Sequence, residues 1–256
     1  MRGILLAGGL GTRLGELTAN GRNKHTLDVG GKPMLAHPLK VLLDNGCEHI
    51  TVVSSADGLD QIRSVIWSAT DDLIRENIAN NGKLIYFSFA EQRTPGGIAD
   101  ALKCAEIPGN VDPVLVILGD NVFVPSPILK DGERNERGAR CFLYEAKDLS
   151  GFGVPEFAWS IDYAGRKTRL SRIARVVEKP VTPPSEFAVC GLYLFGGGVW
   201  SALKSLTPGP RGELEITDLL DMYAMANMLN WSLVRGFWGD AGTPEGMAEC
   251  AGAVKS

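Results

Sequence analysis

Short apolar runs alternate with helical patterns over the first half of the chain, and this alternation limits the fold more than any other feature. The apolar runs are RGILLA, HITVVS, KLIYFSF and VLVILGDN. Between them lie a helical pattern from Pro33 to Gly46, a charged one from about Leu59 to Asn77, and the segment GIADALKCAE. Strands that are apolar almost throughout and alternate with helices predict a parallel sheet with both faces covered by helices.

The pattern changes after Asp120. Four strand-like segments follow with few helices between them, namely ARCFLYEA, GFGVPEF, LSRIARVVEKP and FAVCGLYLF. The chain then shows two helical patterns, GVWSALKSL and EITDLLDMYAMANML, a single predicted strand, WSLVRGFWGD, and a last short helix. A parallel first half joined to an antiparallel-rich second half predicts one α/β domain over residues 1–256 with a mixed, mostly parallel sheet.

Composition excludes several classes of protein. Charged residues make up 22% of the chain and the net charge is −4, so the basic surplus of a nucleic-acid-binding protein is absent. The apolar start is too short for a signal peptide, and no apolar run approaches the roughly 18–20 residues of a membrane span. The cysteines are odd in number, scattered and without a CxxC pair, which favours reduced, mostly buried thiols and a cytoplasmic location. They are Cys47, Cys104, Cys141, Cys190 and Cys250.

A glycine-rich turn follows the first apolar run. Gly8, Gly9 and Gly11 lie within four residues, and Arg13 follows two residues after Gly11. A Walker loop is excluded because no Lys-Ser/Thr follows Gly11, and a dinucleotide fingerprint is excluded because Leu14 stands where its third glycine belongs. The turn is either a phosphate-binding loop of another type or a plain connection.

The segment LAGGLGTRL resembles the LAGG-x-GTRL opening of the sugar-1-phosphate nucleotidyltransferases, also called nucleotide-sugar pyrophosphorylases. Segments similar to other motifs of this family follow in order: GGKPM, EQRTPGGIADAL, LGDNVF, GFGVPEF, VVEKP, AVCGLYLF, RGELEITD and FWGDAGT. The resemblance runs from residue 1 to about residue 250, and the ordered combination is specific although each motif alone is not. It implies a Rossmann-like three-layer sandwich of the nucleotide-diphospho-sugar transferase type. Residues 1–125 would form its nucleotide-binding half and residues 126–256 its sugar-phosphate-binding half.

Members of this family join a sugar 1-phosphate to the α-phosphorus of a nucleoside triphosphate and release pyrophosphate. The nucleophile is already an anion, so the reaction needs charge neutralisation and in-line alignment rather than a base. For this chain the resemblance implies dTTP or UTP and a hexose 1-phosphate, with glucose 1-phosphate expected, in a short family member that forms a homo-oligomer. Two alternatives stay open: another base or an unusual sugar or cyclitol phosphate in the same reaction, and a nucleotide-sugar sensor without catalysis.

The resemblance also assigns roles to two cations. Arg13 would clamp the β and γ phosphates, and Lys24 would neutralise charge on the α phosphate and the leaving group. Without the resemblance, Arg13 is equally a surface arginine at a helix start and Lys24 a solvated lysine. Backbone amides of the glycine turn would wrap the triphosphate. The nucleotide-binding residues predicted there are Leu6, Gly8, Gly9, Gly11 and Thr12.

Asp120 and Asp240 are the predicted metal ligands, and Asp120 is also a predicted catalytic and nucleotide-binding residue. Each lies at the carboxyl end of a predicted strand, where open α/β sheets bind ligands. Two carboxylates from different strand ends can share one hard cation that also contacts phosphate oxygens, which suits Mg²⁺. The alternative for either residue is a helix N-cap, and Asp240 precedes GTPEGM as a cap would.

The remaining predicted contacts concern the base and the sugar phosphate. Gln92 and Gly97 match the residues that read a pyrimidine, and a side-chain amide offers the donor and acceptor that an imide needs. Glu178 and Lys179 match contacts to the sugar hydroxyls and the sugar phosphate, while Gly153 and Val189 would line the sugar pocket. Without a functional role, Gln92 would be a polar loop residue, and Glu178 and Lys179 would be an exposed charge pair.

Three positions depart from the family pattern. Glu16 and Asp28 stand where prolines are usual, and Gly30-Gly31 replaces a bulkier pair. These positions flank Arg13 and Lys24, so an added carboxylate near the substrates would alter specificity rather than remove the chemistry. The histidines are expected to be structural or solvated; they are His25, His37 and His49.

Overall fold

The computed structural model describes residues 1–9, 11–161 and 167–256, which form the alternation of strands and helices that the sequence predicts. The strands are β1 (Arg2–Leu6), β2 (Asp28–Val29), β3 (Lys32–Pro33), β4 (His49–Ser54), β5 (Tyr86–Glu91), β6 (Val114–Leu118), β7 (Asn121–Val124), β8 (Ala139–Glu145), β9 (Gly153–Ile161), β10 (Lys167–Glu178), β11 (Phe187–Phe195), β12 (Leu229–Leu233) and β13 (Phe237–Asp240). The α-helices are α1 (Ala36–Asp44), α2 (Ala56–Ala69), α3 (Asp71–Asn81), α4 (Ile98–Cys104), α5 (Val199–Ser205), α6 (Ile216–Met225) and α7 (Pro244–Lys255).

A seven-stranded sheet carries the fold, with the strand order β12-β8-β11-β6-β1-β4-β5. The pairs β12–β8, β6–β1, β1–β4 and β4–β5 are parallel. Only β11 runs against its neighbours, because it pairs antiparallel with both β6 and β8. The predicted mixed, mostly parallel sheet is therefore confirmed.

Helices cover both faces of this sheet and make three layers. On one face the sheet packs against α1, α2 and α3, and the buried residues there include Leu5, Leu39, Ile62, Ile74 and Leu115. On the other face it packs against α4, α5 and α6, and the buried residues include Ile4, Leu102, Val116, Leu203 and Leu219. Because β1 and β6 are covered on both sides, they need apolar side chains at successive positions, which is the pattern that predicted them.

Two predicted helices differ in their bounds. The charged helix is two helices, α2 and α3, because Thr70 interrupts it; the Thr70 hydroxyl donates to the carbonyl of Ile66 (2.8 Å) and ends α2. The helix α1 begins later than predicted, because Pro33 pairs with Asp28 in the β2–β3 hairpin instead of starting the helix.

The single strand predicted from WSLVRGFWGD is wrong. The structure contains two strands there: β12 joins β8 in the main sheet, whereas β13 pairs antiparallel with β7 outside it. Gly236 separates them with φ = 83°, a left-handed conformation that favours glycine. This break turns the chain out of the main sheet and carries the end of β13 to the start of β7.

The strand order also creates a crevice beyond the carboxyl ends of β1 and β6. β1 and β6 are neighbours in the main sheet. The next strand of this sheet along the chain after β1 is β4, which lies on one side of the pair; the next one after β6 is β8, which lies on the other side. In open α/β sheets, the crevice beyond the carboxyl ends of such a strand pair is the usual ligand site. The glycine turn follows β1 and Asp120 follows β6, so both open into this crevice.

The described cysteines are all free thiols, and four of them are buried, as predicted. Burial raises the pKa of Cys47 and of Cys141 to about 12, so these thiols stay protonated and unreactive. No helix in the described part of the chain combines the length and the apolar composition needed to cross a bilayer.

Candidate active site

The glycine turn brings Arg13 and Lys24 to the end of β1. Gly11 begins a short 3-10 segment, Thr12–Leu17, that carries Arg13 on its solvent side. The Thr18 hydroxyl donates to the carbonyl of Gly11 (3.0 Å) and holds this segment against the turn. An ideal Cβ atom at Gly11 would lie 3.2 Å from Cβ of Lys24, so the turn passes directly over this lysine.

Lys24 and Asp120 form a buried ion pair. Lys24 Nζ lies 2.5 Å from Asp120 Oδ2, and the two side chains are only 10% and 13% exposed. Asp120 Oδ1 accepts a second hydrogen bond, from Asn121 Nδ2 (3.0 Å). Lys24 is therefore not the solvated lysine that its sequence context alone allowed.

Asp240 lies beside this pair. It is the last residue of β13, opposite Asn121 in β7, and the next amide, Ala241 N, donates to the backbone carbonyl of Asp120 (2.8 Å). Arg13 Nη2 lies 3.9 Å from Asp240 Oδ2. The ion pairs Lys24–Asp120 and Arg13–Asp240 thus occupy one corner of the molecule, although Asp120 and Asp240 are far apart in the chain.

The atoms around Gly242 show how closely the charged groups of Arg13, Asp120 and Asp240 approach one another. An ideal Cβ atom there would lie 2.8 Å from Asp240 Oδ1, 3.0 Å from Arg13 Nη2 and 3.3 Å from Asp120 Oδ2. Both carboxylates and the guanidinium therefore border the same small space, which a side chain at this position would fill.

The two carboxyl groups titrate differently. Burial is the largest influence on the pKa of Asp120 and raises it, but the charge of Lys24 and hydrogen bonds from Lys24 and Asn121 outweigh burial and bring the pKa below its usual range. Burial, and then the charge of Asp120, raises the pKa of Asp240 to about 6. At neutral pH both groups are carboxylates, and Asp240 is the one that protonates first on acidification.

The helix-cap alternative for these aspartates is wrong. α7 is capped by Thr243, whose hydroxyl accepts the hydrogen bond from Gly246 N (3.1 Å), while Asp240 lies outside the helix. Asp120 is followed by a strand, β7, and not by a helix. Neither carboxylate is needed to satisfy a helix end.

Within the described residues, no three His, Cys, Asp or Glu side chains are grouped closely enough to hold a metal ion by themselves. Asp120 and Asp240 nevertheless fit Mg²⁺, which is commonly bound through one or two protein carboxylates and completes its shell with substrate phosphates and water. The space beside Gly242, bordered by both carboxylates, is consistent with such a shared ion.

Gln92 lies in the crevice at the end of β5, with its amide hydrogens already used. Its Nε2 donates to Asp100 Oδ2 (2.8 Å) and to the carbonyl of Gly97 (3.2 Å). An ideal Cβ atom at Gly8 would lie 2.9 Å from Oε1, so this oxygen faces the glycine turn. The structure therefore differs from the expectation that Gln92 supplies both a donor and an acceptor, because only the acceptor is left for a ligand.

Gly97 lies next to this amide and admits no side chain. Its φ is 96°, and a Cβ atom there would lie 2.5 Å from the carbonyl oxygen of Leu214. In the described part of the chain the Gly97 N–H has no acceptor. Gly97 N–H and Gln92 Oε1 are thus a donor and an acceptor on two residues of the cavity wall that are joined by the bond from Gln92 Nε2 to the Gly97 carbonyl.

Glu178 is held by three donors on the opposite side of the crevice. Its Oε1 is contacted by Arg211 Nη2 (2.8 Å) and by Lys179 Nζ (3.2 Å), and its Oε2 accepts from the Thr217 hydroxyl (3.1 Å). Arg211 also bonds Glu215 (2.7 Å). This network fixes the carboxylate as an acceptor that faces the cavity.

One cavity of about 580 Å³ contains every predicted site residue. These residues are Leu6, Gly8, Gly9, Gly11, Thr12, Arg13, Lys24, Gln92, Gly97, Asp120, Gly153, Glu178, Lys179, Val189 and Asp240. Their individual roles remain predictions. Glu16 and Asp28, the departures expected to add charge near the substrates, do not line this cavity, because both side chains point to solvent.

Four of the cavity-wall residues that the sequence analysis did not single out are His25, Asn121, Arg211 and Gly242. Three of them lie inside the family motifs LGDNVF, RGELEITD and FWGDAGT, so these motifs already indicated their place near the site. His25 follows Lys24 directly and had no such signal.

His25 fits the expectation that the histidines are structural, although it lines the cavity. Its ring Nδ1 lies 2.8 Å from Asn23 Oδ1, and burial, followed by the charge of Lys24, lowers its pKa to about 3. The ring is therefore neutral at physiological pH. His37 bonds a backbone carbonyl (2.9 Å), and His49 stacks on an aromatic ring.

One family model matches almost the whole chain. The model described as Nucleotidyl transferase matches residues 2–256. The chain belongs to the nucleotidyl transferase family. The family resemblance predicted from the motifs is thus confirmed.

Curated relatives in this family match the chain from end to end. The glucose-1-phosphate thymidylyltransferase of Neisseria meningitidis serogroup A is 35% identical over 261 residues, which cover 100% of this chain and 83% of the relative. The glucose-1-phosphate thymidylyltransferase of Mycolicibacterium smegmatis is 34% identical, with the same two coverages.

Solved structures of similar proteins share the fold. The crystal structure of a candidate glucose-1-phosphate thymidylyltransferase from Bacillus anthracis, in complex with sucrose, has a TM-score of 0.81 and 31% identity; the match covers 100% of this chain and 96% of that one. UDP-glucose pyrophosphorylase in complex with UDP-glucose has a TM-score of 0.78 at 23% identity, and covers 99% of this chain and 97% of that one. At this lower identity the likeness shows the fold alone.

Proposed function

We propose that this chain transfers a nucleotidyl group from dTTP or UTP to glucose 1-phosphate and releases pyrophosphate. The observation that carries the proposal is the meeting of Arg13, Lys24, Asp120 and Asp240 at one end of a cavity that also contains Gln92 and Glu178. The relatives named glucose-1-phosphate thymidylyltransferase support the substrate pair.

The reaction needs charges in fixed positions more than it needs a base. The phosphate oxygen of the sugar phosphate is already an anion, so no side chain has to remove a proton from it. Lys24 would face the place where charge develops on the α phosphate. Arg13, which is 62% exposed at the cavity mouth and only loosely paired with Asp240 at 3.9 Å, would close on the β and γ phosphates. Backbone amides of the turn from Gly8 to Thr12 complete the triphosphate site.

Asp120 and Asp240 would hold one Mg²⁺ in this site. When bound, the ion neutralises phosphate charge and aligns the attacking and leaving oxygens. The chain's own contribution is to present two carboxylates on one side of the crevice while Lys24 and Arg13 balance their charge. A carboxamide at either position would keep the shape and lose the charge.

The two ends of the cavity then select the substrates. A pyrimidine with an imide N–H next to a carbonyl complements the Gln92 Oε1 acceptor and the Gly97 N–H donor. At the other end, the restrained Glu178 carboxylate would accept from sugar hydroxyls, Lys179 would contact the sugar phosphate, and Gly153 and Val189 would shape the pocket. Residues 1–125 would thus bind the nucleotide and residues 126–256 the sugar phosphate, with Asp240 returning to the nucleotide side.

The test is a panel of triphosphates crossed with sugar 1-phosphates in the presence of Mg²⁺, with pyrophosphate release as the readout. We expect release with dTTP or UTP and glucose 1-phosphate, and its loss when Mg²⁺ is removed by EDTA. Release with ATP, GTP or CTP alone would reject the assignment of Gln92 and Gly97. Absence of release with every pair would reject the catalytic proposal and favour a sensor.

A further inference from the structure

Asn121 is a buried amide whose orientation is set by its neighbours. It is 2% exposed and directly follows Asp120. Its Oδ1 accepts two hydrogen bonds, from the indole Nε1 of Trp238 (2.7 Å) and from Gly191 N (2.9 Å). Both partners can only donate, so the oxygen must face them and Nδ2 must face the other way, where it donates to Asp120 Oδ1 (3.0 Å).

These three bonds join three strands at the edge of the site. Asn121 begins β7, Gly191 lies in β11, and Trp238 lies in β13 two residues before Asp240. The Gly191 amide is available because the β11–β8 pairing is irregular between Val189 and Tyr193. Asn121 therefore links the segment that carries Asp120 to the strand that carries Asp240.

We infer that Asn121 is a positioning residue for the metal site. Asn121 orients the Asp120 carboxylate directly and, through the bond from Trp238, fixes the position of Asp120 relative to Asp240. By holding Oδ1, Asn121 leaves Oδ2 turned towards Lys24 and towards the space beside Gly242. This inference rests on the proposed function, because it assigns Asn121 a role towards the cation that Asp120 and Asp240 would share.

The chain offers two matched controls for this role. Asn45 is equally buried (1% exposed) and also makes three bonds: Nδ2 donates to the carbonyls of Val41 and Pro127 (both 2.8 Å), and Oδ1 accepts from Leu129 N (2.8 Å). It lies outside the cavity. Trp200 is as buried as Trp238 (both 6% exposed), but its indole N–H has no partner among the described residues. Asn45→Ala and Trp200→Phe therefore measure the cost of losing a buried amide or indole without touching Asp120.

The experiment is a titration with Mn²⁺ alone, followed by electron paramagnetic resonance, on the full chain and its variants. Partners that orient a metal ligand typically contribute 10- to 100-fold to affinity, so we expect Asn121→Ala to weaken Mn²⁺ binding at least about tenfold. Asn45→Ala should destabilise the fold and leave Mn²⁺ binding as in the wild type. In turnover, the Mg²⁺ concentration for half-maximal rate should rise in Asn121→Ala while KM for glucose 1-phosphate changes little.

A double-mutant cycle tests whether Trp238 acts through Asn121. Trp238→Phe keeps an aromatic, though smaller, side chain and removes the indole donor, so Mn²⁺ affinity should fall about threefold, whereas Trp200→Phe, which makes the same change in size, should have no effect. If Trp238 acts through Asn121, the double variant should bind no more weakly than Asn121→Ala. If the losses of Mn²⁺ affinity in the two single variants multiply in the double variant, the two residues act independently. That result would overturn the action of Trp238 through Asn121.

The outcomes separate this inference from the proposed function. A wild type that neither binds Mn²⁺ nor releases pyrophosphate contradicts the proposed function itself. A wild type that does both, with an Asn121→Ala variant of equal Mn²⁺ affinity and Mg²⁺ requirement, overturns only the positioning role. Should Asn121→Ala fail to fold, equal Mn²⁺ binding by Trp238→Phe and Trp200→Phe would overturn it.

Discussion

Replacement of Lys24 by methionine gives the sharpest test of the buried ion pair. The change removes the ammonium that lies 2.5 Å from Asp120 Oδ2 and keeps a side chain of similar length. It leaves Asp120 ionised, 13% exposed as a side chain and without its main counter-charge. We expect a large loss of stability in addition to the loss of turnover.

The size of this loss follows from the burial of the pair. Removing one partner of a buried ion pair costs about 3–5 kcal/mol, since the other charge stays desolvated. That is a substantial part of the 5–15 kcal/mol by which a domain is typically stable, and for a chain of this size it lowers Tm by about 10 °C. The double variant Lys24→Met, Asp120→Asn should recover most of the loss because neither member of the pair is then charged.

The assay is urea-induced unfolding at neutral and at acidic pH. Because the pKa of Asp120 is below its usual range in the folded protein, the stabilisation from its carboxylate is complete well above pH 4 and is lost as the pH falls further. In Lys24→Met the counter-charge is gone, so burial raises the pKa of the Asp120 carboxyl and this group protonates at a higher pH than in the wild type. The difference in the free energy of unfolding between Lys24→Met and the wild type should therefore be smaller at pH 4 than at pH 7.

Lys40→Met is the matched control, since Lys40 pairs with Asp44 at 2.8 Å on an exposed helix surface. Such i,i+4 pairs contribute about 0.3–0.5 kcal/mol. The reasoning is refuted if Lys24→Met costs no more than Lys40→Met, or if its deficit is the same at pH 7 and pH 4.

Three further results are expected at the site. Asp120→Asn should abolish turnover while circular dichroism shows a retained fold, and a variant with most of its pyrophosphate release would remove Asp120 from the metal site. Because the pKa of Asp240 is raised to about 6, this carboxyl is protonated below that pH and cannot ligate; activity at limiting Mg²⁺ should rise as the pH increases through 6, and a flat profile would contradict its role. Gly97→Ala should weaken triphosphate binding at least about tenfold in calorimetry, because φ = 96° and the carbonyl of Leu214 leave no room for a methyl group; wild-type affinity would show that the backbone there can yield.

Much of the fold could be predicted because its elements are locally encoded. Buried parallel strands must be apolar on both faces, so RGILLA and VLVILGDN were visible as strands in the sequence. The errors came where one residue changed the local backbone. Thr70 ends α2 by bonding its own helix, and Gly236 bends the chain between β12 and β13; neither effect appears in the periodicity of the surrounding residues.

The amino-acid sequence determined most of the strands and helices, the family, and part of the cavity lining, because apolar runs, glycine turns and ordered motifs are written in consecutive positions. Tertiary structure alone decided how those residues face one another. The antiparallel pairing of β13 with β7 carries Asp240 to Asp120, and the folding of the Lys24 segment under the glycine turn buries its ammonium against the same carboxylate. Those contacts join positions far apart in the chain, and their energies depend on burial, which no local pattern of residues records.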